Sequence, residues 1–253
     1  MARIAGVEQS VSHIPAASIA VRMPVTAFIV ATALVGAALS AAHFGVHALA
    51  TAGVITHHGR VAGAFDMDAE VSIPTWYSTV LLALIGVALL AAGRLRDAGR
   101  GRLPWYALGA GFLYLSLDEG AALHESLMYA TRNALGITGG PLWYAWVIPV
   151  GIALALVSPL LLWFALRLTP VTRMLMLVAA VLYVGGALGI EILGAGIGAQ
   201  VESLERDADD TIVWVLAGVE ETLEVAGLVV MLAAVLRHLR EEMRGAPFGV
   251  VLR

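Results

Sequence analysis

Six apolar stretches, each long enough to cross a bilayer, follow one another along this chain with short polar connections between them: residues 23–50, 74–93, 104–130, 141–167, 174–198 and 211–236. About 20 apolar residues rising about 1.5 Å each cover roughly 30 Å of hydrocarbon, so the pattern reads as six transmembrane helices. Of the 253 residues, 60 % are hydrophobic and only 13 % charged, more apolar than a domain with a water-facing surface tolerates. The expected fold class is therefore all-α, a polytopic integral membrane protein. It has one domain, with an N-terminal cytoplasmic or interfacial segment at 1–22, a six-helix bundle at 23–236 and a cytoplasmic tail at 237–253. Prolines followed by aromatic pairs (Trp76 and Tyr77, Trp105 and Tyr106, Trp143 and Tyr144) place three helix starts in the interfacial aromatic belt.

The arginines alternate between connections. Arg22, the run Arg94, Arg96, Arg100 and Arg102, the pair Arg167 and Arg173, and Arg237, Arg240 and Arg244 fall on one side of the spans. Acidic connections with Asp66, Asp68 and Glu70, and with Glu202, Glu205, Asp207, Asp209 and Asp210, fall on the other. The positive-inside rule then puts both termini in the cytoplasm and the acidic loops outside, in a cytoplasmic (inner) membrane of bacterial type. Arg22, an apolar run and Ser40-Ala41-Ala42 imitate a signal peptide; the segment is expected to stay as the first span.

The chain has no cysteine, which removes disulfides, thiolate metal sites and cysteine nucleophiles, and no lysine, which removes Schiff-base chemistry. Its arginines are dispersed through short loops, so nucleic acid is not an expected partner. The lipid bilayer is, together with a lipid-soluble small molecule or the other subunits of a membrane complex.

An ionisable side chain inside a span costs a few kcal/mol on insertion scales, which makes each one a functional candidate. The first span holds His43 and His47, the third Asp118, Glu119, His124 and Glu125, the fifth Glu191, and the sixth Glu220, Glu221 and Glu224; the second and fourth hold none. This division suggests four helices around a polar centre with two apolar helices outside or alongside. His43, Glu125, Glu191 and Glu220 each lie roughly 7–14 Å below the outer interface by helical rise, with Asp118 and Glu224 a turn or so deeper. Gly36, Ser40, His43 and His47 share one stripe, as do Gly111, Tyr114, Asp118, Ala121 and Glu125. Glu119 and His124 point to either side of that second stripe, and Glu221 to one side of Glu220 and Glu224, so whether these three join is left open. Gly185/Gly189 and Gly194/Gly198 form GxxxG pairs that permit close helix approach.

Several acids in low dielectric require a cation or shared protons. Histidines at i and i+4 with carboxylates from other helices suit a metal site, resembling the ligand logic of carboxylate-bridged di-metal bundles, although their Glu-x-x-His element occurs in no span here. The expected ligands are His43, His47, Asp118, Glu125, Glu191, Glu220 and Glu224. They would hold one or two divalent ions of iron, manganese or zinc, and the activity would be that of an oxidoreductase on a lipid-soluble substrate. A proton- or cation-coupled transporter, and a non-catalytic subunit of a larger complex, are the alternatives. His57 and His58 in the first acidic connection read as a solvated loop or an entry for the ion.

Overall fold

Helix starts follow local chemistry. The computed structural model describes residues 19–20, 24–56, 59–95, 101–195, 211–243 and 251–252. Its long helices α1 (Val25–Thr51), α3 (Ile73–Leu95), α4 (Leu103–Ala121), α6 (Val147–Ala165), α7 (Pro170–Val184) and α8 (Thr211–Glu242) correspond to the six apolar stretches, with short helices α2 (Arg60–Phe65) and α5 (Leu123–Leu135) between them. Ser72 caps α3: its hydroxyl accepts the Thr75 N–H at 3.2 Å, while the Thr75 hydroxyl donates to the Ala69 carbonyl at 2.7 Å. Pro104 and Pro170 sit in the first turns of α4 and α7, where a missing N–H costs nothing. Pro159 inside α6 cannot donate to the Ala155 carbonyl, and the Ser158 hydroxyl donates to that oxygen instead, at 3.0 Å.

Among the described residues the chain is all-helical apart from a two-residue antiparallel pairing of Ile19–Ala20 with Val251–Leu252, which brings these two segments together. Four helices, Val25–Thr51, Ile73–Leu95, Val147–Ala165 and Pro170–Ala195, are long and apolar enough to cross a membrane. The other two long helices, α4 and α8, carry Asp118 and Glu119, and Glu220, Glu221 and Glu224.

The loops holding Arg94, Arg102, Arg167 and Arg173 meet at one end of the bundle, and this half is densely packed. Leu81, Leu82, Ile85 and Leu89 of α3 interleave with Leu228, Leu232, Val235 and Leu239 of α8. Between apolar helices in lipid the attraction is van der Waals contact, so close backbone approach counts for most. It is made where α3 crosses α4: a Cβ on Gly109 would stand 3.0 Å from the Gly86 carbonyl oxygen and 2.7 Å from Leu90. Trp105 is fully buried here, edge-on to Phe164 at 4.9 Å and stacked on His238 at 4.4 Å. It therefore belongs to the core rather than to the interfacial belt expected of it, whereas Trp76 is exposed as that belt requires.

Three further expectations are corrected. The third stretch is not one helix: Ala122 adopts the left-handed conformation (φ 48°, ψ 43°), ending α4 and starting α5. The fourth helix starts at Val147, six residues after Pro141. In the fifth, Gly185–Ile190 forms a π-helical stretch, after which regular α-helix resumes as far as Ala195. Its wider turn takes Gly185 and Gly189 out of contact, and a Cβ at either would meet nothing within 4 Å. Gly186 makes the close approach instead, 2.8 Å from the Glu220 carbonyl oxygen by the same measure. Gly198, His57, His58 and the second acidic loop at 202–210 lie outside the described residues.

Candidate functional site

At the opposite end from the arginines the helices diverge around a chamber of about 670 Å³. Backbone irregularities border it on two sides. The turn at Ala122 swings α5 back toward α4, so that His124 Nδ1 lies 3.2 Å from Asp118 Oδ2. The π-helical stretch on the facing helix ends at Glu191, and π-bulges are frequent at functional sites because they redirect a side chain without ending the helix.

The acids converge on this space. Asp68 and Glu70 come from the loop before α3, Asp118 and Glu119 from α4, Glu125 from α5, Glu191 from the segment after the π-helical stretch, and Glu220, Glu221 and Glu224 from α8. His124 joins them, and no arginine lines the chamber among the described residues. Individual contacts order part of this set. The indole N–H of Trp146 donates to Glu191 Oε1 at 2.8 Å. Glu191 and Glu220 are hydrogen-bonded to each other, which two carboxyl groups achieve only through a proton held between them. Glu224 is hydrogen-bonded to Tyr183. No three of these groups are gathered tightly enough to form a ready-made metal cluster among the described residues.

Of the expected ligands, Asp118, Glu125, Glu191, Glu220 and Glu224 line the chamber, and His43 and His47 do not. His43 is completely buried beside it. The Met67 N–H donates to His43 Nδ1 at 3.1 Å, which fixes the ring hydrogen on Nε2, and Nε2–H donates to the Trp214 carbonyl at 3.1 Å. Both ring nitrogens are thus committed to backbone, and the ring stacks on the Trp214 indole at 4.1 Å. His47 stacks on the other part of the same assembly, 4.8 Å from the Trp214 ring. The first helix supplies no chamber wall. The fourth does, through Trp146, Pro149, Val150, Ala153 and Leu154, so of the two expected places, outside or alongside the polar centre, it takes the second.

The sequence leaves Glu119, His124 and Glu221 open and reads the acids of the first outer connection, Asp68 and Glu70 among them, as a solvated loop, a weak surface site or an entry for the ion; all five face the chamber. The spacing Asp68 and Glu70 just before a capped helix start was the available signal, since a cap fixes where the preceding residues point. These loop acids feel their surroundings. Burial pushes the Asp68 carboxyl up from its ordinary pKa, and neighbouring Asp66 adds to the rise; burial likewise raises Glu70. Asp66 is also raised by burial, against the pull of the Asp68 N–H that it accepts at 3.1 Å. Arg132, in the last turn of α5, does not line the chamber: it is buried, its Nε donates to the Trp143 carbonyl, and its guanidinium lies 3.5 Å over the Trp143 ring.

A family model described as "Domain of unknown function (DUF8692)" matches residues 24–239. No curated protein and no solved structure matches.

Proposed function

This chain belongs to the DUF8692 family, and we propose that it is a six-span protein of the cytoplasmic membrane whose chamber, open to the outer face, binds a divalent metal ion among its carboxylates. Both termini then lie in the cytoplasm. The antiparallel pairing of residues 19–20 with 251–252 supports an even number of crossings, because it puts these two segments at one side of the bundle. The gathering of arginine-bearing loops at the other end from Asp68 and Glu70 supports the orientation.

The observation that carries the reading is the line-up of Asp68, Glu70, Asp118, Glu119, Glu125, Glu191, Glu220, Glu221 and Glu224 on one cavity that, among the described residues, no arginine faces. Such a set cannot be fully ionised in low dielectric; protons hold it in balance until a cation replaces them. Glu191, Glu220 and Glu224 are the ligands proposed for the ion, the first two releasing the proton they share, with Asp118 and Glu125 closing from α4 and α5. With His43 and His47 outside, the donors are oxygens plus His124, a balance that favours manganese or iron over zinc. Oxidation of a lipid-soluble substrate is the activity this reading leads to. Transport across the bilayer has less support, since the arginine half beneath the chamber is filled by leucine, isoleucine and valine.

Elemental analysis of the purified protein after incubation with manganese, iron(II) and zinc tests the proposal. One or two ions per chain are expected, with at least a tenfold loss of affinity in Glu220→Gln. A wild-type protein that retains none of the three overturns it.

A further inference from the structure

The chamber is far larger than an ion needs. At about 670 Å³ it falls within the roughly 300–1,000 Å³ typical of sites that enclose a whole organic molecule, while a water molecule takes only about 30 Å³. Its wall on α6 is an apolar and aromatic stripe, Trp146, Pro149, Val150, Ala153 and Leu154, spaced i, i+3, i+4, i+7, i+8 on one helical face. Across from it stands Tyr114 of α4.

Two of these wall residues are exposed as well as chamber-lining. Tyr114, in the middle of α4, keeps 55 % of its surface accessible, and Ala153 is exposed in the middle of α6. Throughout 152–163 only Leu154 and Leu161 of α6 are even partly covered. α4 packs against α3 and α6 touches α5 and α7, so the middle parts of α4 and α6 are left apart. A residue that lines a cavity and is exposed at mid-helix marks a sideways opening, and at that depth the medium outside is acyl chain.

We propose that the chamber admits an uncharged amphiphile of the bilayer through the cleft between α4 and α6. The hydrocarbon tail of the molecule lies in the cleft against Tyr114, Ala153 and Leu154. Its hydroxyl or carbonyl head reaches the acids. Charge selects the class: the carboxylates repel an anionic head, and a cationic head would compete with the ion for the same oxygens. This last step rests on the metal reading above; the cleft itself does not.

A long-chain alcohol bearing a diazirine and an alkyne, incorporated in vesicles with the full-length protein and photolysed, tests the route by mass-spectrometric mapping of the adducts. Adducts at Tyr114, Ala153 and Leu154 should exceed those at the lipid-facing Leu156 and Leu160 of the same helix at least fivefold. Excess unlabelled long-chain alcohol should suppress them, and a fatty acid or alkylammonium of equal length should not. Ala153→Trp should cut the chamber adducts at least fivefold and the smaller plug Ala153→Leu less, both in protein that remains monodisperse. Equal labelling of both faces of α6 without competition overturns the proposal, and competition by the alkylammonium overturns the assignment of an uncharged head. The metal content of the same wild-type sample reports separately on the ion: adducts without metal leave the cleft standing and remove the metal reading, whereas metal without chamber adducts does the reverse.

Discussion

The two halves of this bundle use the same helices to opposite ends. In the arginine half, α3 and α8 interleave leucine, isoleucine and valine side chains, and two facing glycines let α3 and α4 touch. In the acidic half the continuations of these helices part around open space, one neighbour breaks at Ala122, and another widens into a π turn. Since lipid supplies no hydrophobic drive between apolar helices, contact area in one half has to hold the other open. The packed half is thus the support for the chamber, and perturbations should separate the two by kind: loss of fold in one, change of ligand and proton binding in the other.

The largest effect should come from the support. Gly109→Leu places a branched side chain where even a Cβ would meet Leu90 at 2.7 Å and the Gly86 carbonyl oxygen at 3.0 Å. Overpacking of this kind typically costs about 1–3 kcal/mol and occasionally more, and backbone on one side leaves little room to yield. Thermal unfolding followed by tryptophan fluorescence in detergent should show a markedly lower Tm, with metal uptake lost along with the fold. A Gly109→Leu protein as stable as wild type would mean that the two halves do not divide the work as described.

A smaller effect is expected at the chamber mouth, and its sign is fixed by the acids there. Asp68 and Glu70 are held above their ordinary pKa values by burial. A carboxyl that binds its proton more tightly folded than unfolded adds stability below its ordinary pKa and loses it as pH rises through the raised one. Metal-free protein should therefore unfold at a lower temperature at pH 7 than at pH 5, and Asp68→Asn should narrow that difference by raising the pH 7 value. Unfolding curves at the two pH values check it; a difference unchanged in Asp68→Asn would show that this residue is solvated like a surface acid.

The same contrast explains what was legible in the sequence. Leu, Ile, Val, Gly and Ala runs report the medium a helix sits in, so the six apolar stretches could be read, as could the proline-marked starts of α3 and α4. Which face of a helix meets which neighbour depends on unbroken helical phase, and phase is lost wherever the helix is interrupted. Ala122, an alanine between Ala121 and Leu123, carries no breaker signal, yet its left-handed turn brings both Glu119 and His124 to the chamber. The π stretch likewise hands the close approach from Gly185 and Gly189 to Gly186. Polarity misled about the first helix and left the place of the fourth open, because a chamber needs apolar wall as well as acid, and α6 supplies that wall without one charged residue.

His47 gives the smallest effect and the sharpest division between ligand and support. Its i, i+4 spacing from His43 is what a metal site on a helix would use, yet the pair is stacked on Trp214, with His43 also tying the Met67 backbone and the Trp214 carbonyl in place. A nitrogen-free ring in the same position keeps the stacking and removes any ligand. His47→Phe should therefore leave the manganese and iron stoichiometry and affinity within about twofold of wild type, since the residue lies outside the chamber that holds the carboxylates. Removing a true metal ligand costs more than the 10–100-fold typical of losing merely a partner that supports one. A loss of more than a hundredfold in His47→Phe, in protein of unaltered Tm, would move the metal toward α1 and make the two histidines ligands rather than braces.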